Sequence, residues 1–312
     1  MKKLKNKRAM GKIIPSLLFI TVLFAGKSGA QETEKVISFQ AGDAIISVLS
    51  EGQQKNNTAN LIGATPGILE KYVPDGTYPS AINAFLIRLD DKAILIDAGF
   101  GRNLFDNIRS LKTPAEKVDI VLLTHMHGDH IGGLMKDGKT TFPNAQVYLP
   151  QPEYDYWTSD VEMNKMPENR RGSFLQARSV IAAYKDKLHL FTPSETEAAD
   201  ESKEIVPGIK AIAAYGHTPG HTGYLLESAG YRLLVWGDLT HAMAIQMPHP
   251  EVAITYDVDP EQAIAYRKKV LDYVAKNKIP VAGMHIAFPS VGDVKTSGKG
   301  YSFTPFCDCL GI

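Results

Sequence analysis

Residues 119–130 read Asp-Ile-Val-Leu-Leu-Thr-His-Met-His-Gly-Asp-His. Asp119 to Thr124 is a nearly continuous apolar run, the pattern of a strand buried on both faces. It ends at once in His125, His127, Asp129 and His130. Four metal-ligating side chains in six residues are hard to explain by packing, because a core would have to satisfy three imidazoles and a carboxylate at the mouth of one strand. In an extended turn His125 and His127 point the same way and can share one cation, whereas Asp129 and His130 begin the next helix and point to an adjacent one.

Each cation needs further ligands, and the chain offers His217 in Gly-His-Thr-Pro-Gly-His, Asp238 in Trp-Gly-Asp and His285 in Gly-Met-His. All three follow expected strands, at 209–214, 232–236 and 281–284, so all three can lie at one sheet edge. Further strands are expected at 44–49, 84–89, 93–96, 145–149 and 223–226 from β-branched runs bounded by turn residues. Helices are expected at 103–111 and 173–184. The clearest helix opens at Asp259-Pro260-Glu261-Gln262, with a capping Asp, Pro in the first turn and an apolar face of Ile264, Val270, Leu271 and Val274. Mixed sheets with helices outside them predict an α/β layered architecture.

With 312 residues, 44% hydrophobic and 22% charged, the chain can bury a large core. Its charge is uneven: residues 1–30 hold seven positive side chains and no acid, so without them 27 positive face 34 negative, about −7. That balance, with no basic block, argues against binding a phosphate backbone, and no nucleic-acid partner is expected. Residues 1–30 read as a signal peptide, with a lysine-rich start, the apolar run Ile13 to Ala25, and Ser28-Gly29-Ala30 before Gln31. A periplasmic or secreted protein of a single domain, 31–312, is expected; the competing reading of the run is a retained anchor, for which it is short. Cys307 and Cys309 are too close for an unstrained bridge and too few for a metal site, and read as incidental thiols or an intermolecular bridge.

The set H-x-H-x-D-H, G-H-T-P-G-H, G-D and a late His resembles the metallo-β-lactamase superfamily, over roughly residues 44–290. The resemblance implies an αβ/βα four-layer sandwich with two metals at one edge of its sheets. It assigns His125, His127 and His217 to one zinc, Asp129, His130 and His285 to a second, and Asp238 to a bridge. Asp97 would brace the ligand loop and His221 would support the site without ligating. His189 and His249 read as surface or loop residues. Two Zn2+, with other divalent metals open, would acidify a shared water so that a bridging hydroxide attacks the substrate, with Asp129 or water moving the proton.

Members that hydrolyse β-lactams carry Cys or Ser where this chain has Asp238, and ribonuclease members need basic surfaces absent here. Thioesterases, lactonases and phosphotriesterases remain. The chain is most similar to the methyl parathion hydrolase group and nearby lactonases, through Leu122–His125, Val235–Asp238, Asp257–Pro260 and Val281–Gly283. Counterparts of that group's aromatic gate are Trp157 and Phe174, with Phe100 or Phe105 as a third; ordinary core packing is the competing reading of each. His241 stands where many lactonases place a Tyr that touches the substrate carbonyl, and can itself donate a hydrogen bond or proton. The expectation is a dinuclear zinc lactonase, quorum-quenching on N-acyl-homoserine lactones. Its rivals are an organophosphate triester hydrolase, a non-catalytic exported zinc-binding protein and an iron-containing oxygenase. The partner is a small hydrophobic ester, lactone or phosphotriester; no stable membrane anchor is expected, and a homodimer is open.

Overall fold

The computed structural model describes residues 36–306. The expected signal peptide, Cys307 and Cys309 lie outside the described residues. No helix among them is long and apolar enough to cross a membrane.

Two seven-stranded sheets follow chain order. The first runs β1 (Val36–Ala41), β2 (Ala44–Asn57), β3 (Thr77–Leu89), β4 (Lys92–Ile96), β5 (Ile120–Leu122), β6 (Gln146–Pro150) and β7 (Leu188–Phe191). Its first four strands pair antiparallel, and β4 to β7 pair parallel. The second runs β8 (Glu204–Val206), β9 (Ile209–Ala213), β10 (Thr222–Ser228), β11 (Tyr231–Val235), β12 (Val281–Ala282), β13 (Val291–Ser297) and β14 (Gly300–Pro305), with only β11 and β12 parallel. Parallel neighbours need crossovers, and these carry the helices: α1 (Leu104–Ser110), α2 (Gly128–Ile131), α3 (Gln151–Thr158), α4 (Asp160–Lys165) and α5 (Gly172–Ala183) in the first half, α6 (Pro260–Asn277) in the second.

Period-2 alternation sorts the core into layers. From β3 to β5, Phe85, Ile87, Ile94, Ile96 and Leu122 point inward and meet Ile209, Tyr224, Leu226 and Val235 of the second sheet. The alternate residues Leu86, Leu95 and Val121 point outward, where Leu104, Ile108, Phe174 and Val180 of α1 and α5 cover them. On the far side α6 lays Val270, Leu271 and Val274 on Ile212, Leu225 and Leu234. The four layers are therefore helix, sheet, sheet, helix, and residues 120–123 are apolar without a break because β5 is covered on both faces.

Helix α6 forms as its sequence dictates: Asp259 Oδ1 accepts from the Gln262 N–H at 3.0 Å, and Lys278 closes the helix in the left-handed conformation. Its buried face differs in one respect. Ile264 is only half-buried, and Arg267 lies inside, donating to the carbonyls of Leu239, Pro250 and Val252. The expected strand at 281–284 stops at Ala282. Strands β2 and β3 extend well past 44–49 and 84–89 as a polar arm pairing Gly52–Asn57 with Ile82–Thr77. Strands β1, β7, β8, β13 and β14 and helices α3 and α4 were not expected.

Candidate metal centre

The predicted residues meet where strands of both sheets end. β5 leads into Thr124 and the His125–His130 segment, the β9–β10 connection carries His217, β11 leads to Asp238, and β12 to His285. His125 Nε2 stands 2.9 Å from His127 Nδ1, which stands 3.0 Å from His217 Nε2. Asp238 Oδ2 lies 3.3 Å from His217 Nε2 and 3.7 Å from His125 Nε2. On its other flank Asp238 Oδ1 is 3.2 Å from His130 Nε2, and Oδ2 is 2.9 Å from His285 Nε2. Asp129 closes this second group, with Oδ2 3.6 Å from His285 Nε2 and Oδ1 3.8 Å from His130 Nε2. Two donor groups thus share one carboxylate.

The outward nitrogens show how the rings are aimed. Thr124 Oγ1 donates to Asp97 Oδ2 and can therefore accept from His125 Nδ1 at 3.0 Å. His130 Nδ1 donates to Asp97 at 2.7 Å, His217 Nδ1 to Asp257 at 2.9 Å, and His285 Nδ1 to the Ala81 carbonyl at 2.8 Å. Each such bond leaves the Nε2 lone pair facing the centre. Asp97 holds a left-handed φ of 55°, sits fully buried, and also accepts from the Thr124 N–H, so it ties the β4 end to the ligand loop. His221 is not aimed as a ligand: its Nδ1 donates to the Ala214 carbonyl and its Nε2 accepts from the Asp238 N–H at 2.8 Å.

This donor set fits divalent cations. His130 Nε2 and Asp238 Oδ1 are buried and face each other, yet neither makes a hydrogen bond, and such orphaned atoms call for an explanation of this kind. Imidazole and carboxylate donors in tetrahedral array suit zinc, whose Zn–N distance of about 2.1 Å sets neighbouring nitrogens roughly 3.4 Å apart. Protonation tells the same story. Burial and neighbouring imidazoles hold His125 well below the usual range and push His127 down to about 3, so both rings are free bases. Burial works against the Asp238 carboxylate, but His130 and His285 overcome it and hold it well below the carboxylate range. Burial likewise opposes charge on His217, which Asp238 and Asp257 raise to about 9. The carboxylates demand positive charge beside them.

The centre lies in the floor of a cleft of about 790 Å³. Trp157 and Phe174 line it with rings 4.7 Å apart, and both also belong to the core under α3 and α5, so each serves as core and wall. Phe100 stands at the mouth, 41% exposed, with the Arg102 guanidinium over its ring. Phe105 instead packs against Phe142 in the core. His241 is buried at the cleft with Nε2 3.2 Å from Asp238 Oδ2, while its Nδ1 has no partner. Its spacing also groups it with Asp238 and His285 as donors. His189 is exposed on β7, and His249 is a half-buried loop residue.

Several contributors were given no role by the sequence. Asp257 orients His217. Gln246 accepts from the N–H groups of His241 and Ala242, fixing that turn. Buried Asn83 donates to the carbonyls of Met284 and Ile286 on either side of His285. Tyr256 and Ile82 add to the cleft wall.

Comparison with known proteins agrees with this geometry. The metallo-beta-lactamase superfamily matches residues 77–278. The crystal structure of hydrolase AbOPH, in the beta lactamase superfamily, superposes with a TM-score of 0.79 at 31% identity, covering 88% of this chain and 99% of that one. AidC, a dizinc quorum-quenching lactonase solved with the product N-hexnoyl-L-homoserine, gives 0.78 at 25% identity over 86% and 97%. Uncharacterized protein YobT of Bacillus subtilis (strain 168) is 25% identical over 157 residues, 50% of this chain, which spans 61% of that relative's length.

Proposed function

Because the chain belongs to the metallo-β-lactamase superfamily, as a metallo-hydrolase with a His/Asp donor cluster, we propose that it is a dinuclear zinc lactonase acting on N-acyl-homoserine lactones. The observation that carries this reading is the juxtaposition of two donor groups joined at Asp238 with a cleft of mixed lining that has the aromatic residues Phe100, Trp157, Phe174 and Tyr256 on its walls. The likeness to AidC supports it. Bound there, the cations supply Lewis acidity, lowering the pKa of water and polarising an ester carbonyl.

The chain's own residues do the rest. His125, His127 and His217 would hold one cation and Asp129, His130 and His285 the other, with the Asp238 carboxylate within reach of both groups. Trp157 and Phe174 offer the aromatic wall against which an acyl chain would lie. Asp129 is the half-exposed carboxylate of the cluster, placed to pass a proton between the floor of the cleft and solvent. His241 faces the same space and is the donor available to the leaving oxygen.

A second reading is phosphotriester hydrolysis, favoured by His241, an imidazole where a lactonase phenol is expected. Comparing kcat/KM for acyl-homoserine lactones of graded chain length with that for methyl parathion decides between them: higher values on lactones support the first reading, and turnover of the triester alone overturns it. Zinc binding without turnover of either class would mark a binding protein, and iron as the retained metal would favour oxygen chemistry. Export is proposed with this function, and a mature N-terminus at Gln31 in the periplasm or medium is its test.

A further inference from the structure

Glu153, in the first turn of α3, is fully buried beside the metal centre although its sequence neighbourhood, Gln-Pro-Glu-Tyr, carries no metal motif. Its Oε2 accepts from the Met126 N–H at 3.1 Å and from the Trp157 indole N–H at 2.7 Å. Its Oε1 accepts from the Gly220 N–H at 2.8 Å. Met126 separates His125 from His127, and Gly220 lies between His217 and His221. One carboxylate therefore holds both loops that supply the first donor group, together with the wall residue Trp157.

The arrangement is costly unless it serves the site. Burial pushes the Glu153 carboxyl up, while the Thr218 hydroxyl, the Trp157 indole and the Gly220 and Met126 N–H groups pull it back, and no cationic side chain among the described residues pairs with it within 4 Å. A buried carboxylate of this kind stabilises a fold poorly compared with apolar packing, but it fixes geometry, since its acceptors face opposite ways. The fit is close: a Cβ on Gly220 would lie 2.5 Å from the Glu153 backbone nitrogen, so the second loop rests directly on the start of α3.

We propose that Glu153 is a positioning residue that sets the separation of His217 from His125 and His127, and thereby the affinity of that one cation, while anchoring Trp157 to the same frame. The inference rests on the assignment of these three histidines to one cation. A glutamine at 153 offers acceptors on one side only and turns an NH2 group toward N–H donors on the other.

The test is Co2+ titration of chelator-stripped wild type and Glu153→Gln, followed by visible absorption and calorimetry, with circular dichroism to verify folding. The expected result is that one of two binding steps weakens about 10- to 100-fold and its cobalt spectrum shifts, while the other step is unchanged. If Glu153→Gln does not fold, Glu153→Asp, which keeps the charge but is too short to span both loops, is read the same way. Folded variants with both steps as in wild type and only a lower melting temperature would overturn the proposal in favour of a purely structural role. Wild type that takes up fewer than two cations would instead overturn the underlying assignment, and this proposal with it.

Discussion

Asp238 is approached by five imidazoles, those of His125, His130, His217, His241 and His285, and its backbone N–H is held by a sixth, His221. Asp238→Asn keeps the shape but replaces one acceptor with a donor that faces ring lone pairs. It is expected to lose at least one cation per chain and to lower kcat/KM by about 100-fold or more, read by metal analysis and steady-state kinetics. His241→Phe separates chemistry from metal binding: metal content should stay at the wild-type value while kcat falls about 10- to 100-fold. Unchanged turnover would remove His241 from the reaction. The gathering of these donors was legible in the sequence because imidazoles and carboxylates crowd at strand ends in numbers that packing cannot absorb. Glu153, Asn83 and Gln246 were not, because their partners are backbone groups of other loops, in Glu153's case 67 residues away, and nothing local marks such a contact.

Among the elements, the connection between β9 and β10 shows how tightly the second sheet's ligands are seated. Gly216 has φ +114°, and a Cβ there would lie 2.0 Å from the Ala263 nitrogen at the start of α6. The Asp259 N–H donates to the Gly216 carbonyl and the Val258 N–H to that of His217, so helix start and ligand loop form one unit. Gly216→Ala is therefore expected to cost about 3 kcal/mol or more in denaturant unfolding, with loss of metal. The start of α6 was readable from its Asp-Pro pair because caps obey local rules. The polar arm of β2 and β3 was not: residues such as Gln53, Gln54 and Asn56 show no apolar alternation, and only pairing with the partner strand makes them a strand.

For the molecule as a whole, the donors divide four to three between the sheets: His125, His127, Asp129 and His130 follow β5, while His217, Asp238 and His285 belong to the second sheet. Metal removal should therefore reduce the stability of the entire fold as well as abolish hydrolysis. At a free cation level 100 times Kd, the lost binding corresponds to about 2.7 kcal/mol, visible as a lower melting temperature for the chelated protein that zinc restores. Acidification should act in the same direction, since ligating imidazoles must be deprotonated and affinity falls with pH. The layered architecture was legible because strand and helix periods alternate along the chain. The last two strands of the second sheet, β13 and its edge neighbour β14, were hidden by their largely polar sequence. The division of donors has a kinetic corollary. The cage sits at the rim of the seam between the two halves, so a slight parting there would spoil it while the interior stayed closed, and on warming this enzyme would fall silent before it melts.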